Sequence, residues 1–336
     1  MSAIARVLSV AALMTSFTIG AAQAQDLIRV SHQWRAETDA RDRATRVFIE
    51  EVGKHAPELR FRLFPGGSLI SNPVAQFDAM IDGALEMAVY PLVYAVGRVP
   101  EFSITIMPGL VPSMQAALDL KGSAYHDKLQ EIAHENGVHI VTWWWTPGGV
   151  ATRGRAITDP SSVEGLRMRA ADPYFEVMLQ DAGASVHAMP STEIYSALQT
   201  GVLDGLLTSS ESFVSMRIYE LATHATAGGD NEIFLLIQPL LMSKAAWDRL
   251  TPEQQEAFEK AAAVSEDYFN NHQFDATAEM IRRFEEAGVE VRSFSDEEYA
   301  SWVELAQRVA WSRFRDNVER GGELIDVVQS ALEAQQ

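Results

Sequence analysis

Four arginines in the middle of the chain are the clearest chemical signal in its sequence. They are Arg153, Arg155, Arg167 and Arg169, and they fall within 17 residues. Arg169 stands at the end of a predicted strand, where a guanidinium offers a planar fork of donors that matches two carboxylate oxygens. This arrangement is suited to holding a carboxylate anion.

The charge of the whole chain makes this arginine cluster unusual. The 336 residues include 27 Lys and Arg against 46 Asp and Glu, which gives a formal net charge of −19. Such a surface repels nucleic acid and anionic membranes, so we expect neither as a partner. It also repels an anionic ligand at long range. A protein of this kind must therefore concentrate its positive charge locally if it binds an acid.

Other residues suited to a ligand cleft stand at or just beyond the ends of predicted strands. His32 and Trp34 end and follow the first strand, and Tyr90 ends the third. Ligands of open α/β lobes gather at the carboxyl ends of strands, which favours these three as cleft residues, although a lone histidine is more often structural. Trp145 is the last of three consecutive tryptophans, and strand alternation leaves open whether it faces the cleft or the core.

Hydrophobic periodicity places these residues on an α/β framework. Alternation predicts strands over residues 27–32, 59–64 and 87–90, and helical spacing predicts helices over 41–55 and 73–84 between them. Strands that alternate with helices in this order are typical of a parallel sheet with helices on its faces. The first part of the chain is therefore expected to form one α/β lobe.

The segments that follow predict crossings to a second lobe and back. A helix over 114–136 and a strand over 138–145 precede Thr146-Pro147-Gly148-Gly149, which we expect to break the strand at the first crossing. The alternation of strands and helices then repeats. The apolar stretch 230–241 is predicted to return toward the first lobe as one long strand.

Two capping boxes predict the helices near the carboxyl terminus. Thr251 and Gln254, with a proline between them, open a helix that is expected to continue as far as Glu286. Ser295 and Glu298 open another. A helix of about 35 residues is long for a globular domain and suits one that spans a hinge.

These elements predict an α/β protein of two lobes with a ligand cleft between them, crossing strands and a long hinge-spanning helix. The first lobe is expected to comprise residues 25–147 plus about 235–275. The second is expected to comprise 148–234 plus about 276–336, which includes the C-terminal helices. Hinge closure around a ligand is the usual mechanical behaviour of such proteins.

The first 24 residues have the pattern of a signal peptide. Arg6 supplies the positive charge, residues 7–22 are mostly apolar, and Ala22-Gln23-Ala24 provides a small-x-small site for cleavage before Gln25. The apolar run is short for a membrane span. The chain has no cysteine, which excludes disulfides, thiolate chemistry and a lipoprotein anchor. We therefore expect a periplasmic protein that is not embedded in the membrane.

Several sequence motifs resemble those of the solute-binding proteins of TRAP transporters, the tripartite ATP-independent periplasmic transporters, of the DctP type. They include Leu-Arg-Met-Arg-Ala at 166–170, Glu-Ile-Tyr-Ser-Ala-Leu-Gln-Thr-Gly at 193–201, Asp204-Gly205 and Phe-Pro-Gly-Gly-Ser-Leu at 64–69. The resemblance covers essentially the whole mature chain. It implies capture of an organic acid anion between the lobes and its delivery to the membrane permease subunits.

The same resemblance assigns roles to individual residues. In the family an arginine at the place of Arg169 clamps the ligand carboxylate, and a second basic residue at the place of Arg155 contacts the ligand in some members. Polar residues after the Asp-Gly pair line the cleft, which implies that role for Thr208 and Ser209. Ser191 departs from the family, which often has an aromatic residue there, and its small side chain implies a wider cleft or a ligand without a stacking partner.

Other functions were weighed against this interpretation. An ABC-type organic-acid binding protein is the nearest alternative, followed by a periplasmic α/β enzyme or a binding protein that partners a sensor. No metalloprotease spacing, nucleophile elbow, Walker loop or dinucleotide fingerprint is present in the sequence. We expect a monomer that is not an enzyme, with no cofactor and no metal-binding residues. The ligand is expected to be a mono- or dicarboxylate: one carboxylate is required, while a second carboxylate, a keto or hydroxyl group, an aromatic ring, and a metal ion or water that bridges the ligand all stay open.

Overall fold

The computed structural model describes residues 27–229 and 231–334. The predicted signal peptide and its cleavage site at Ala24–Gln25 lie outside these residues. In the described part of the chain, helices surround two β-sheets, one of five strands and one of seven. The predicted α/β fold of two lobes is confirmed, with one sheet at the centre of each lobe.

The strands and α-helices of the described residues are numbered in chain order. The strands are β1 (Leu27–Ser31), β2 (Arg60–Phe64), β3 (Met87–Val89), β4 (Val138–Ile140), β5 (Trp145–Thr152), β6 (Arg167–Ala170), β7 (Ser185–Ala188), β8 (Gly205–Ser209), β9 (His224–Ala227), β10 (Leu235–Ile237), β11 (Leu240–Ser243) and β12 (Glu290–Ser293). The helices are α1 (Ala40–His55), α2 (Gln76–Ile81), α3 (Met114–Asp119), α4 (Ala124–Glu135), α5 (Pro173–Asp181), α6 (Ile194–Gln199), α7 (Ser210–Ser215), α8 (Lys244–Trp247), α9 (Pro252–Phe274), α10 (Ala276–Glu286), α11 (Asp296–Ala306), α12 (Ser312–Asn317) and α13 (Gly321–Glu333).

The first sheet has the strand order β2-β1-β3-β11-β4. β2, β1 and β3 are parallel, and β11 is antiparallel to both of its neighbours. α1 and α9 pack against each other on this lobe, where the rings of Phe48 and Phe258 meet edge to face with centroids 5.3 Å apart. The Asp39 side chain begins α1 by accepting the backbone N–H of Arg41.

The second sheet has the order β12-β9-β5-β8-β6-β7. β8, β6 and β7 are parallel neighbours, so their carboxyl ends lie along the same edge. β5 is antiparallel to β8 on one side and to β9 on the other. The sheet therefore presents the ends of β6 and β8 together, and this edge faces the first lobe.

The two strands that cross between the lobes are paired with each other. The first three residues of β5 pair antiparallel with β10, and the rest of β5 pairs with β8 and β9. Instead of one long strand over 230–241, Gln238 and Pro239 separate β10 from β11, since proline has no N–H for a strand ladder. The chain thus leaves the first lobe in β5 and returns to it through β10 and β11.

The expected strand break at Thr146-Pro147-Gly148-Gly149 was wrong, because all four residues lie inside β5. Gly148 and Gly149 leave no room for a side chain, because residues of neighbouring segments lie close to their backbone. A Cβ on Gly148 would lie 2.0 Å from Cζ of Phe234, and a Cβ on Gly149 would lie 2.7 Å from the carbonyl oxygen of Thr226. The glycines therefore serve packing across the sheet and around β10 instead of a turn.

The predicted long helix is present as α9 and α10, which are separated by the single residue Asp275. Its capping box at Thr251 and Gln254 is confirmed, as is the one at Ser295 and Glu298. α9 packs against α1 of the first lobe, whereas α10 packs against α7 and β12 of the second. The pair of helices therefore spans both lobes, as expected.

Two other predicted helices are divided in the structure. The helix expected over 114–136 is interrupted between α3 and α4 by a turn at Lys121-Gly122-Ser123, and the one expected over 73–84 consists of a 3₁₀ turn followed by α2. At the end of the chain, α13 packs against α4. Among the described residues, no helix combines the length and apolar character that crossing a bilayer requires.

Candidate ligand-binding site

A cavity between the lobes collects polar residues at the carboxyl ends of β6 and β8. Its volume, including the mouth, is about 430 Å³. The segment after β3 forms the wall from the first lobe, and β10 runs along one side. The side chains that give the wall its polar character are Tyr94, Arg169, Ser191, Thr208, Ser209, Ser212 and Gln238. Open α/β lobes bind their ligands at this position in the fold.

Arg169 is held at the wall by backbone carbonyls. Its side chain is only 2% exposed. Nε and Nη2 donate to the carbonyl oxygen of Met189 at 3.0 and 2.8 Å, and Nη1 donates to that of Leu207 at 2.7 Å. A guanidinium has five N–H groups, so one remains on each terminal nitrogen. Two N–H groups side by side match the two oxygens of one carboxylate.

The charge of Arg169 has no counter-ion within the described residues. No carboxylate among them lies within salt-bridge distance of its guanidinium. Burial lowers the pKa of Arg169, while the neighbouring Tyr94 hydroxyl and the Glu176 carboxylate raise it. Arginine nonetheless stays protonated in proteins. The cavity therefore contains a buried positive charge with two donors that are not bonded to carbonyl oxygens, and the Tyr94 hydroxyl lies beside them as a neutral hydrogen-bonding neighbour.

Tyr94 and Ser191 join the lobes at the rim of the cavity. The Tyr94 hydroxyl donates to Ser191 Oγ at 3.1 Å and accepts the Ser191 backbone N–H at 2.8 Å. Gln33 Nε2 also donates to Ser191 Oγ at 3.2 Å. Tyr94 and Gln33 lie on the first lobe and Ser191 on the second, so these bonds cross the cleft. A small residue at 191 allows this contact, which an aromatic side chain there would obstruct.

The end of β8 supplies two hydroxyl groups with different surroundings. Ser209 caps α7, because its Oγ accepts the Ser212 backbone N–H at 3.3 Å and donates to Ser212 Oγ at 2.8 Å. Thr208 lines the cavity, and its hydroxyl makes no hydrogen bond within the described residues. Thr208 is thus the hydroxyl that is free to bond a ligand, while that of Ser209 is largely occupied by the helix cap.

Gln238 reaches the cavity with its orientation set by a second buried arginine, Arg41. The Nη1 of Arg41 donates to Gln238 Oε1 at 2.8 Å and to Ser212 Oγ at 3.2 Å. Its Nε and Nη2 donate to the two carboxylate oxygens of Asp39, both at 2.7 Å, and its guanidinium lies 4.2 Å from the Trp34 ring centre. Arg41 is therefore fully compensated and holds residues of the cavity wall in place.

Glu211 makes a further contact between the lobes. Its Oε1 accepts the backbone N–H of Ala40 at the start of α1 at 2.9 Å, and its Oε2 lies 3.2 Å from Nε2 of His272. Burial alone would raise the pKa of Glu211, but His272, Arg41 and the Ala40 N–H together hold it below its usual value. The carboxylate is thus ionised where it meets the amino end of α1.

The rest of the cavity wall is apolar. Phe175 from α5 and Phe234 before β10 meet edge to face with centroids 5.3 Å apart, and Ile106, Leu236 and Val93 complete the surface. No charged side chain other than Arg169 lies among the described residues of the wall. A ligand here would meet one cation, several neutral hydrogen-bonding groups and hydrocarbon.

Comparison with known sequences identifies the kind of protein to which this cavity belongs. Residues 30–317 match the profile of the bacterial extracellular solute-binding protein, family 7. The chain belongs to this family. A solute-binding protein of Albidiferax ferrireducens is 35% identical over 327 residues, which are 96% of each chain. The C4-dicarboxylate-binding periplasmic protein DctP of Rhodobacter capsulatus is 24% identical over 273 residues, 80% of each chain.

Solved structures agree with this family assignment. A TRAP periplasmic solute-binding protein from Rhodoferax ferrireducens, crystallised with bound malonate, superimposes with a TM-score of 0.89. It is 35% identical in sequence, and the match covers 92% of this chain and 99% of the other. The chain is therefore a TRAP-type periplasmic solute-binding protein and not an enzyme.

Three of the eight residues predicted from the sequence lie on the wall of the cavity of this binding protein: Arg169, Thr208 and Ser209. Trp34 does not line the cavity, but its ring lies beneath the guanidinium of Arg41. It lines a neighbouring groove, and Ser191 lines both this groove and the cavity. Tyr94, Ser212 and Gln238 were not predicted. They follow strand ends or lie between strands. Apart from the bond between Ser212 and Ser209 in the cap of α7, the hydrogen bonds that place their side chains at the cavity come from residues far away in the sequence.

The other four predicted residues lie outside the cavity wall. His32 is buried with Nε2 3.1 Å from Asp42 Oδ1, and Tyr90 donates its hydroxyl to the carbonyl of Val74 at 3.2 Å. Trp145 is buried at the beginning of β5. Each of the three supports the scaffold of the binding protein, His32 and Tyr90 through hydrogen bonds and Trp145 through packing.

Arg155 was predicted to contact the ligand, but it lies away from the cavity. It is exposed, and its guanidinium donates to the carbonyl oxygens of Ser162, at 2.8 Å, and Glu164. It therefore fastens a surface loop next to β5. Arg167 is also occupied, since it forms a salt bridge of 2.6 Å with Asp204. Only Arg169 of the four clustered arginines reaches the described cavity wall.

Proposed function

We propose that the binding protein holds an organic acid anion in this cavity, with a carboxylate on the two N–H groups of Arg169 that are not bonded to carbonyl oxygens. The observation that carries the proposal is a buried guanidinium at the cavity wall without a carboxylate partner among the described residues. A buried charge is costly unless it is paired, so a ligand anion would complete the site. The malonate in the Rhodoferax ferrireducens relative supports an acid as the ligand.

Closure of the lobes would enclose the acid. The chain crosses the cleft in β5, in β10 and between α9 and α10, which suits rotation of the lobes about these connections. The moving bodies would be the two lobes expected from the sequence. Tyr94, Gln33 and Glu211 provide hydrogen bonds that join them in the closed arrangement.

Membership of the TRAP family leads us to propose the partners and the place of action. The ligand-loaded protein would deliver its acid to the membrane permease subunits of the transporter. It would reach the periplasm through the signal peptide of residues 1–24, with cleavage before Gln25, and would act there as a monomer. Mass spectrometry of the secreted protein tests the cleavage site directly.

Replacing the proposed clamp tests the binding function. We expect Arg169→Ala to lower the affinity for the acid by about 2–5 kcal/mol, because the ligand carboxylate would then lie buried without its charged partner. Arg155→Ala is the matched control, since it removes the same charge outside the cavity. Calorimetry on both variants makes the comparison, and near-wild-type affinity in Arg169→Ala would refute the assignment.

A thermal-shift screen over organic acids would identify a ligand for these measurements. A ligand present at 100 times its Kd stabilises the folded protein by about 2.7 kcal/mol, which shifts the melting temperature measurably. If neutral sugars or cations raised the melting temperature and no acid did, the proposed function would be wrong.

A further inference from the structure

The surroundings of Arg169 also restrict which acids the cavity accepts. We propose that the ligand carries one carboxylate only, together with a neutral oxygen such as a hydroxyl or oxo group and a short hydrocarbon part. This inference rests on the proposed function, because it assumes that Arg169 holds a carboxylate. It goes further by excluding dicarboxylates as the preferred ligands.

The cavity wall has only enough positive charge among its described residues for one carboxylate. Arg169 is the one charged residue among the described residues of the wall. Three of its N–H groups are bonded to the carbonyls of Met189 and Leu207, and the remaining two, beside the Tyr94 hydroxyl, accommodate at most one carboxylate. A second carboxylate would have to be buried without a cation of its own, which is strongly unfavourable.

The nearby guanidinium of Arg41 does not provide the missing cation. Its Nε and Nη2 are bonded to Asp39, and its Nη1 is shared between Ser212 and Gln238. The Asp39 carboxylate neutralises its charge at 2.7 Å. A ligand carboxylate beside Ser212 or Gln238 would therefore meet an ion pair that is already complete.

The orientation of Gln238 provides a donor for a ligand oxygen without the positive charge that a second carboxylate would need. Arginine can only donate hydrogen bonds, so the Gln238 oxygen must face Arg41 and the amide nitrogen must point the other way. Thr146 Oγ1 lies 3.4 Å from the same oxygen. Nε2 has no hydrogen-bond partner among the described residues, and Gln238 lines the cavity. It therefore offers an uncharged N–H donor to the ligand.

The remaining wall suits an uncharged ligand body. Thr208 offers a free hydroxyl, and Phe175, Phe234 and Leu236 provide a hydrocarbon surface. Hydrocarbon in a narrow cleft favours the burial of apolar carbon and disfavours a second charge. One cation, two neutral donors and this surface together describe a short-chain hydroxy or oxo monocarboxylate.

Matched acids of equal chain length test the inference. The ligand-free mature protein is titrated calorimetrically with propanoate, lactate, pyruvate and malonate, and then with butanoate, 2-hydroxybutanoate, 2-oxobutanoate and succinate. We expect the best hydroxy or oxo monocarboxylate to bind at least tenfold more tightly than the dicarboxylate of its series. Malonate or succinate binding as tightly as, or more tightly than, its monocarboxylate counterparts would overturn the inference. If none of these eight acids bound but a larger acid bound in the thermal-shift screen, the inference would be overturned and the proposed function would stand. If no acid bound in either experiment, the proposed function would be refuted.

Substitutions at Gln238 and Thr146 distinguish a direct contact between Gln238 and the neutral oxygen of the ligand from a structural role of Gln238. We expect Gln238→Leu to reduce at least fivefold the ratio of affinities for the hydroxy acid and its unsubstituted counterpart. Thr146→Val is the control, because it removes the other hydrogen bond to Gln238 and keeps the amide nitrogen. An equal loss for both acids in Gln238→Leu would assign the residue a structural role only. If that variant does not fold, Thr208→Val tests the same ratio at the other neutral donor, and an unchanged ratio there would contradict the proposed contact.

Discussion

Two buried arginines on opposite sides of the cleft show how this protein separates structure from binding. Arg41 of the first lobe is fully buried and bonded to both oxygens of Asp39. Arg169 of the second lobe is almost as deeply buried, but among the described residues its partners are carbonyl oxygens and the neutral Tyr94 hydroxyl, with no carboxylate at salt-bridge distance. The first charge is compensated by the fold, and the second is left for a ligand.

The pKa values of the acidic residues near the two arginines also differ between the regions. Burial opposes ionisation of Asp42 near Arg41, but hydrogen bonds from His32, Arg46 and Glu37 lower its pKa to about 2. Burial raises the pKa of Asp172, three residues after Arg169, to about 6, and burial also raises the pKa of Glu176. The scaffold therefore stabilises its charges, whereas the region around the ligand site holds groups whose charged forms are poorly solvated.

Replacing each arginine by methionine gives the largest expected difference between the two regions. Arg41→Met leaves the Asp39 carboxylate buried and unpaired, so we expect the free energy of unfolding to fall by about 3–5 kcal/mol. Arg169→Met leaves two carbonyls without donors but also removes an uncompensated charge, and we expect a loss below about 2 kcal/mol. Urea unfolding of the ligand-free proteins measures both values.

Equal destabilisation by Arg41→Met and Arg169→Met would contradict the proposed difference between the two arginines. So would a larger loss in Arg169→Met, because the Arg169 charge would then be compensated in a way that the described residues do not show. Arg155→Met serves as a control for loss of an exposed arginine, and surface substitutions usually change stability by less than about 0.5 kcal/mol.

Stability against pH provides the next, smaller test, with opposite signs for Asp172 and Asp42. The folded-state pKa of Asp172, about 6, is above its usual value, so its contribution to stability is complete below pH 4 and is lost as the pH rises through 6. Asp42, with a folded-state pKa of about 2, contributes above pH 4 and loses its contribution as the pH falls toward 2.

The variant that isolates the first effect is Asp172→Asn, which keeps an oxygen to cap α5 at the Tyr174 backbone N–H. We expect the variant to be more stable than the wild type at pH 7 by about 3 kcal/mol, since the pKa of Asp172 is raised from 3.8 to about 6 and one pKa unit corresponds to about 1.36 kcal/mol. The advantage should disappear by pH 4. Urea unfolding between pH 4 and 8 follows the difference, and an advantage that did not depend on pH would contradict the buried ionised carboxylate.

The parts of the fold that the sequence predicts correctly depend on neighbours in the chain. The capping boxes at Thr251 and Ser295 involve residues three positions apart, and both are present. The error at Gly148 and Gly149 has the opposite origin. Proline and glycine usually mark a turn, but here Phe234 and Thr226, distant in sequence, require the absence of side chains within a strand.

The same distinction explains which site residues were found. Arg169 could be predicted because a strand end and a motif around it are local features. Gln238 is bonded to Arg41 across 197 positions, and Tyr94 to Ser191 across 97, so no local pattern indicates either contact. His32 and Tyr90 do occur at strand ends, but hydrogen bonds to Asp42 and Val74 direct them into the first lobe.

The contact between Glu211 and α1 offers the smallest and most specific test of how the two regions cooperate. Glu211→Gln retains an oxygen for the Ala40 N–H but removes the negative charge from the amino end of α1 and from His272. A charge at a helix end contributes about 0.3–1 kcal/mol, so we expect affinity to fall by up to about fivefold.

The reason for this loss is a smaller population of the closed state, and it predicts a particular pattern. Closure of the lobes does not depend on which acid is bound, and the apparent Kd rises as the binding-competent fraction falls. Every acid should therefore lose the same factor of affinity. Glu193→Gln, an exposed change of the same charge in the same lobe, should have no such effect. Calorimetry with two acids of different size distinguishes the cases. A loss confined to one acid would mean that Glu211 acts on the ligand site through Arg41 and Gln238 instead of on closure.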